Sequence, residues 1–290
     1  MRDFNPFTDR KYGDFALPYS NFWARWQFTA NFAYVEIADV LYAYPVVYGI
    51  DLSHYNADPI DFKALYDGGW KFVIHRASMD TQGIDTQFAP RYPVILDNGL
   101  LLIAYGFSRG NLSGALQAEH LLRTIEPFLV RVNGNTILMD DTETADGASV
   151  STVRSRVIAW HGTIRNNFNM NGSMEYSSPG LWQSLTNNMI LPDGIWQDVA
   201  HWTSAENPMQ IIGWPPAYKR LWQIGVYGTH SWCPRPPGWP VGKRVDIQVF
   251  PGTELELRAW IGNQLLPQPK TAFVRVDAGD RVYEGNIPEV

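Results

Sequence analysis

Residues 195–250 decide the fold: they hold three apolar runs, IWQDVAHW (195–202), RLWQIGV (220–226) and RVDIQVF (244–250), joined by stretches rich in Pro, Gly and Trp. Short apolar runs bounded by turn formers read as strands joined by loops rather than helices. Upstream the rhythm differs. Val46–Leu52, Lys71–Arg76, Leu101–Phe107, Asn135–Asp141 and Ser173–Ser177 read as strands, each followed by a helical segment. The helices fall at Pro59–Tyr66 (Asp58 as cap, Pro59 in the first turn), near Phe88–Asp97, at Ser113–Val130 behind a Ser113 cap, at Ser151–Asn167, and after Pro179. Five βα units and three bare strands make eight strands, the number of a closed, irregular TIM-like (β/α)5(β)3 barrel of the α/β class. An open doubly wound sheet is the alternative, but no GxGxxG follows the first strand.

The barrel is expected over residues 46–262, preceded by an aromatic accessory arm (1–45) and followed by a short tail (263–290). In the arm, Ser20 is placed to cap a helix bearing Phe22, Trp26, Ala33, Ile37, Val40 and Leu41 on one side. Phe28, Ala30, Phe32 and Tyr34 also alternate with polar residues, as a strand would; the helix is favoured. The tail holds one possible strand, Ala272–Val276, after a short helix at Thr253–Ile261 that ends at Gly262.

With 290 residues, 45% of them apolar, the chain suffices for one large domain plus appendages. A net charge of −6 without a basic run argues against nucleic acid as a partner. Cys233 is the single cysteine, so no intrachain disulfide and no cysteine-based metal site can form. The histidines lack a paired spacing such as HExxH, and neither metal nor cofactor is expected. Arg25, Glu36 and Asp39 interrupt the apolar stretch Phe22–Tyr44, so no transmembrane segment is expected. The opening MRDFNPFTDRKYGDF has scattered charges and no apolar centre; it does not read as a signal peptide, which implies synthesis in the cytoplasm.

In such a barrel the active site lies at the C-terminal ends of the strands. Asp51 ends the first strand in YGIDLSHYN, Asp141 and Glu143 end the fourth in ILMDDTET, and Asp246 lies in the eighth in RVDIQVF. Each acid interrupts or ends an apolar run, where an unpaired carboxylate is costly. One such acid could cap a helix or pair with an arginine; all four together agree with one barrel face. In Asp141-x-Glu143 the two side chains point the same way, because a strand has period two. Crowded, partly desolvated carboxyls raise one another's pKa, leaving one protonated to donate to a glycosidic oxygen and one ionised to stabilise positive charge on the sugar.

These segments resemble the Chalaropsis-type lysozymes, glycoside hydrolase family 25. YGIDLSHYN is similar to their opening GIDxSxxQ/N signature, FVIHRAS to their second strand, IDTQF to a D-x-x-F element, and LLIAYGFSRG to their third strand. QAEH resembles their Gln-Ala helix, ILMDDTET stands at their Asp-x-Glu, MEYSS at the fifth-strand Tyr, and LWQIGVYG with VDIQVF at the closing strands. The match runs from about residue 47 to 251. It implies a muramidase that cleaves the β-1,4 bond between N-acetylmuramic acid and N-acetylglucosamine of bacterial peptidoglycan at the cell wall. It makes Glu143 the proton donor and Asp141 the partner of the substrate N-acetyl group, with Asp51 and Asp246 as floor residues that tune the pair. Departures are Gly106-Phe107-Ser108 where the family has His-Phe, an added Asp140 that alternation turns away from the cleft, and the first 45 residues. A chitinase-type DxxDxDxE fails, since Thr136 and Met139 occupy its first two acid positions.

Tyr105, Tyr176, Trp202 and Trp222 fall at strand ends and could stack on sugar rings; Gln223 and His54 are further candidate substrate contacts. His75, within an apolar strand, reads as a core histidine. The competing class is a carbohydrate-binding or virion structural protein that retains the barrel with little turnover. The aromatic arm favours it, as a surface for self-association or a virion partner; the intact Asp141 and Glu143 argue for turnover.

Overall fold

The computed structural model describes residues 26–28, 32–37, 40–56, 59–132, 136–167, 172–202, 211–214, 218–261, 271–278 and 281–288. One long strand, β3 (Val40–Leu52), leads from the N-terminal segment into a closed barrel. Its first half pairs antiparallel with β2 (Phe32–Ile37), which pairs in turn with β1 (Trp26–Phe28). The helix expected near residues 20–41 is therefore a correction: Trp26, Ile37, Val40 and Leu41 all lie in strands, while Ser20 and Phe22 fall outside the described residues. The segment carried both periodicities, and pairing with β3 satisfies the period-two one.

From Val46 the strand joins the barrel. The parallel run is β3, β4 (Phe72–Met79), β6 (Leu101–Ser108), β7 (Leu138–Thr142), β8 (Ser173–Ser177), β9 (Ile195–Ala200) and β10 (Lys219–Tyr227). The last strand, β11 (Val245–Pro251), runs antiparallel between β10 and β3 and closes the ring at eight strands. A two-residue strand β5 (Gly83–Ile84) folds back on β4. The helices are α1 (Phe62–Asp67), α2 (Phe88–Asp97), α3 (Gly114–Ile125), α4 (Val150–Asn167), α5 (Pro179–Thr186) and α6 (Glu254–Ile261). The first is capped by Asp61, whose side chain accepts from the Ala64 amide; Asp58 lies outside the described residues. Ser113 caps α3 as expected, but α3 stops at Ile125 and a 3-10 turn carries the chain to Val132. The tail forms a hairpin of β12 (Thr271–Ala278) and β13 (Arg281–Pro288). No described helix is long and apolar enough to cross a membrane.

Alternation along the strands makes two apolar layers. Val47, Phe72, Ile74, Leu101, Ile103, Met139, Met174, Leu221 and Phe250 form one cluster, which strands from all around the ring can share only inside the barrel. Leu257 and Ile261 of α6 join it from the end where β11 finishes, opposite the C-terminal ends of the parallel strands. The other parity, including Tyr48, Ile50, Val73, Leu102, Leu138 and Ile247, packs outward against the helices.

Candidate active site

The closure of the ring fixes the first pair of acids. Asp51, next to last in β3, and Asp246, second in β11, are direct cross-strand partners. Because β11 is antiparallel, its beginning and the end of β3 meet at the same mouth. Asp141 is next to last in β7, across the ring, and Glu143 follows that strand immediately. Burial and the charges of Asp246, Asp198 and Glu143 push the Asp51 carboxyl well above the usual range, with the Arg76 guanidinium opposing. Asp141 is raised likewise by burial and then by Glu143 and Asp51. Burial and Glu143 raise Asp246 to about 6. The end of β3, the start of antiparallel β11 and the end of β7 all open on the same mouth, so the structure brings all four acids to one end of the barrel.

Their hydration differs. Asp141 is buried, and its Oδ1 has no hydrogen-bond partner among the described protein atoms. Glu143 presents surface at the rim, yet the surrounding walls exclude enough water to raise its pKa; a hydrogen bond from Tyr176 opposes the rise. The single Tyr176 hydroxyl proton is shared between Glu143 and Gln223 Oε1, the latter at 2.9 Å, and Trp202 Nε1 donates to the same amide oxygen at 2.8 Å. One buried amide thus holds two aromatic side chains beside Glu143. Trp202 keeps 50% of its surface exposed. A cleft of about 620 Å³ opens here, lined by Glu143, Tyr176, Gln183, Asn188, Trp202 and Ile212 among others. Tyr105 lies within the field of Asp51 and Asp141, which together with burial raise its pKa.

A family profile, glycosyl hydrolases family 25, matches residues 50–227, more than half of the chain. The chain belongs to glycosyl hydrolase family 25. It is 29% identical over 184 residues to the N,O-diacetylmuramidase of Arthroderma benhamiae, covering 61% of this chain and 76% of that protein. The bacterial lysozyme of Streptomyces coelicolor superposes with a TM-score of 0.62 at 23% identity, covering 76% of this chain and 98% of that one. The family 25 lysozyme of Aspergillus fumigatus gives 0.59 at 22% identity, covering 74% and 99%. These two share the barrel fold.

Within this family 25 barrel, Trp222 is a correction. It is 1% exposed and packs in the outer apolar layer, its Nε1 donating to the His201 carbonyl at 2.8 Å. Trp222 and Gln223 are consecutive on one strand and cannot both face the mouth; the polar one does. His54 is held by Asp85 and by Arg76, the cation beside Asp51. Its backbone amide donates to Asp85 Oδ2 at 2.9 Å, its ring contacts Arg76, and it packs on Tyr55 with centroids 4.0 Å apart. His75 is fully buried, as expected of a core residue.

Two members of the site escaped the sequence reading. Asp198 on β9 is fully buried, accepts from Gln248 Nε2 at 3.0 Å, and is pushed up to about 8 by burial. Its signal was present: like the other acids, it breaks an apolar run, IWQDVA. Arg76, at 3.0 Å from Asp85 through Nε, is the buried cation beside Asp51. Behind the wall, donor atoms of Asp140, His161 and Glu175 lie within 4.8 Å of one another, a spacing a metal ion could use. The Arg156 guanidinium already sits on Asp140, and both ring nitrogens of His161 are engaged by Ser173 and Glu175. This donor set is occupied by protein groups and does not suit an added cation.

Proposed function

We propose that this chain is a muramidase, cleaving the β-1,4 bond between N-acetylmuramic acid and N-acetylglucosamine in bacterial peptidoglycan, with Glu143 as proton donor and Asp141 as its partner. The observation that carries the reading is the Asp141-x-Glu143 pair at one barrel mouth, its two carboxyls crowded by Asp51 and Asp246 but differently hydrated. The family membership and the N,O-diacetylmuramidase relative support the substrate class.

The pair titrates as a unit. In the empty cleft the deeper burial of Asp141 favours keeping a proton there. A bound N-acetyl group changes the balance, because its amide N–H donates to Asp141 and favours the carboxylate, leaving the proton to Glu143. Glu143 then protonates the glycosidic oxygen as the acetamido oxygen attacks C1. The C1–oxygen bond breaks, the leaving sugar departs as an alcohol, and Asp141 stabilises the cationic oxazolinium ring. Water attacks C1 from the vacated side, passing its proton to the Glu143 carboxylate. Tyr105, Tyr176, Trp202, Gln223 and His54 are proposed as substrate contacts, Trp202 by stacking its exposed face on a sugar.

We further propose that residues 46–262 are the catalytic unit, made in the cytoplasm and acting on the wall. Residues 1–45 serve as an accessory arm for self-association or a virion partner, and 263–290 as a tail. The chemistry is tested by turbidity clearing of purified peptidoglycan and mass analysis of borohydride-reduced products. Reduced muramic acid ends are expected, and Glu143→Gln should clear at least about 10²-fold more slowly. Reduced glucosamine ends, or clearing by Glu143→Gln near the wild-type rate, would overturn the reading.

A further inference from the structure

The alternation that sends Asp141 into the barrel sends Asp140 and Thr142 outward against α4, into a second polar assembly that hydrolysis does not use. Arg156 of α4 donates through Nη1 to Asp140 Oδ2 and through Nη2 to Thr142 Oγ1, the latter at 2.5 Å. Ser108 at the end of β6 donates to Asp140 Oδ1 at 2.5 Å, and Ser177 of β8 donates to the Thr142 carbonyl at 3.0 Å. His161 of α4 links Ser173 Oγ at 2.8 Å to Glu175 Oε2 at 2.7 Å. All these side chains are buried.

Burying an arginine and two acids between a helix and a sheet is weak evidence for stability, because apolar residues of similar volume do that work at no desolvation cost. What a guanidinium adds is a rigid planar fork. Here its two prongs grip consecutive outward positions of β7, and the residue between them is Asp141. A twist or slip of β7 that moved Asp141 and Glu143 would break both contacts.

The assembly also places charge behind Asp141. Facing Asp140 are Arg156 and His161 from α4 and Glu175 from β8, with the Ser108 hydroxyl from β6. Acting on Asp141 are Glu143 and Asp51 from the barrel interior and Asp140 and Glu175 through the wall, with the hydroxyls of Tyr105 and Tyr176 nearby. Burial holds the His161 imidazole neutral, at about 3, so Arg156 is the cation of the group.

We propose that Arg156 is a positioning residue: gripping Asp140 and Thr142 from behind the barrel wall, it sets the pose of Asp141 and Glu143 for catalysis, while the charge held on Asp140 acts through the wall on Asp141. The proposal rests on the assignment of Asp141 and Glu143 as the reacting pair.

The test is steady-state kinetics on soluble muropeptide oligomers across pH, with the folded fraction of each variant measured by thermal melting. Arg156→Met should lose about tenfold or more in kcat, as a misplaced pair would, with KM within about twofold. Arg156→Lys should recover part of kcat, because an ammonium pairs with Asp140 but cannot grip Thr142 in the same plane. Asp140→Asn removes a negative charge near Asp141, so Asp141 ionises more readily and the acid limb of kcat/KM should move down by about 0.5 pH unit. A merely structural role would scale kcat with the folded fraction and leave the limb in place. Should Arg156→Met fail to fold, the near-isosteric Asp140→Asn decides. An unmoved limb in Asp140→Asn, or wild-type kcat in folded Arg156→Met, overturns the proposal. Glu143→Gln run alongside separates the two readings: if it is active, the pair itself is misassigned; if it is dead while the Arg156 and Asp140 variants match wild type, the clamp alone fails.

Discussion

Glu143 and Asp141 are two residues apart and live in different solvents. Asp141 is enclosed, whereas Glu143 stands at the rim with a tyrosine hydroxyl on its carboxyl. That hydroxyl stabilises the ionised form, so Tyr176 holds Glu143 more acidic than the walls alone would leave it. Removing a donor from a carboxylate raises its pKa, and a general acid with a higher pKa stays protonated to higher pH. Tyr176→Phe is therefore expected to move the basic limb of the kcat profile upward, by about 0.5 pH unit on the scale of one hydrogen bond. The same change frees Gln223 Oε1 from one of its two donors, leaving Trp202 as the other. A pH–rate series on muropeptides checks it; a basic limb that stays in place or moves down would show that Tyr176 does not act on Glu143, the proposed proton donor.

At the scale of elements, the barrel strands were legible because they are buried on both faces, and an apolar run broken by a single acid marks where such a strand reaches the mouth. Asp51, Asp141 and Asp246 were found that way, and Asp198 carried the same mark in IWQDVA. Trp222 was misread because position at a strand end does not say which face a residue takes; its neighbour Gln223 took the mouth. The N-terminal strands were illegible for another reason: two periodicities coexisted, and the deciding partner, β3, is a tertiary one. That strand also bears on the proposed arm. Cutting after Pro45 removes the pairs β3 makes with β2 and keeps all six between Val46–Asp51 and β11. Deletion of residues 1–45 should spare turnover of small muropeptides while lowering solubility or changing the oligomeric state in sedimentation. A folded, soluble deletion that had lost that turnover would put the arm in the active site. The contact between α3 and α4 is a second pressure point. A Cβ on Gly114 would stand 1.9 Å from the Arg156 carbonyl oxygen, a backbone atom that can move only with its helix. Gly114→Ala is expected to destabilise by about 1–3 kcal/mol, the usual cost of overpacking. A chemical denaturation midpoint equal to wild type would show that α4 yields at no cost.

Across the whole molecule, protons are part of what holds the barrel. Burial raises Asp140 and Asp246 to about 6 and Glu175 and Asp198 to about 8, against ordinary values of 3.8 for Asp and 4.5 for Glu. At neutral pH the folded chain retains protons on Glu175 and Asp198 that the unfolded chain has released, whereas Asp140 and Asp246 hold theirs only below about 6. For a carboxyl raised on folding, stability is full below the unfolded pKa and is lost as pH rises toward the folded one. Buried His161 and His75, lowered to about 3 and about 4 from 6.5, act oppositely: the unfolded chain takes up their protons below 6.5, so their contribution is lost as pH falls. The two effects oppose each other between about 4 and 6.5. From 6.5 to 8 the histidines are neutral in both states and the raised carboxyls, Glu175 and Asp198 among them, set the slope, while Lys219, lowered by burial to about 8, opposes them toward the upper end. Each proton held by the folded state alone is worth ~1.4 kcal/mol per pH unit, so Tm should fall by roughly 5–10 °C across that window. Asp198→Asn should flatten the fall. It removes the titrating group, and its new amide can donate to Gln248 Oε1, which lacks a hydrogen-bond partner among the described protein atoms. Glu175→Gln should flatten it as well, through a different wall of the barrel. A Tm that holds steady or climbs between pH 6.5 and 8 in the wild-type protein would mean that these buried carboxyls are already ionised in the folded state, and that the barrel wall and lumen hold water or counter-charge enough to keep them so.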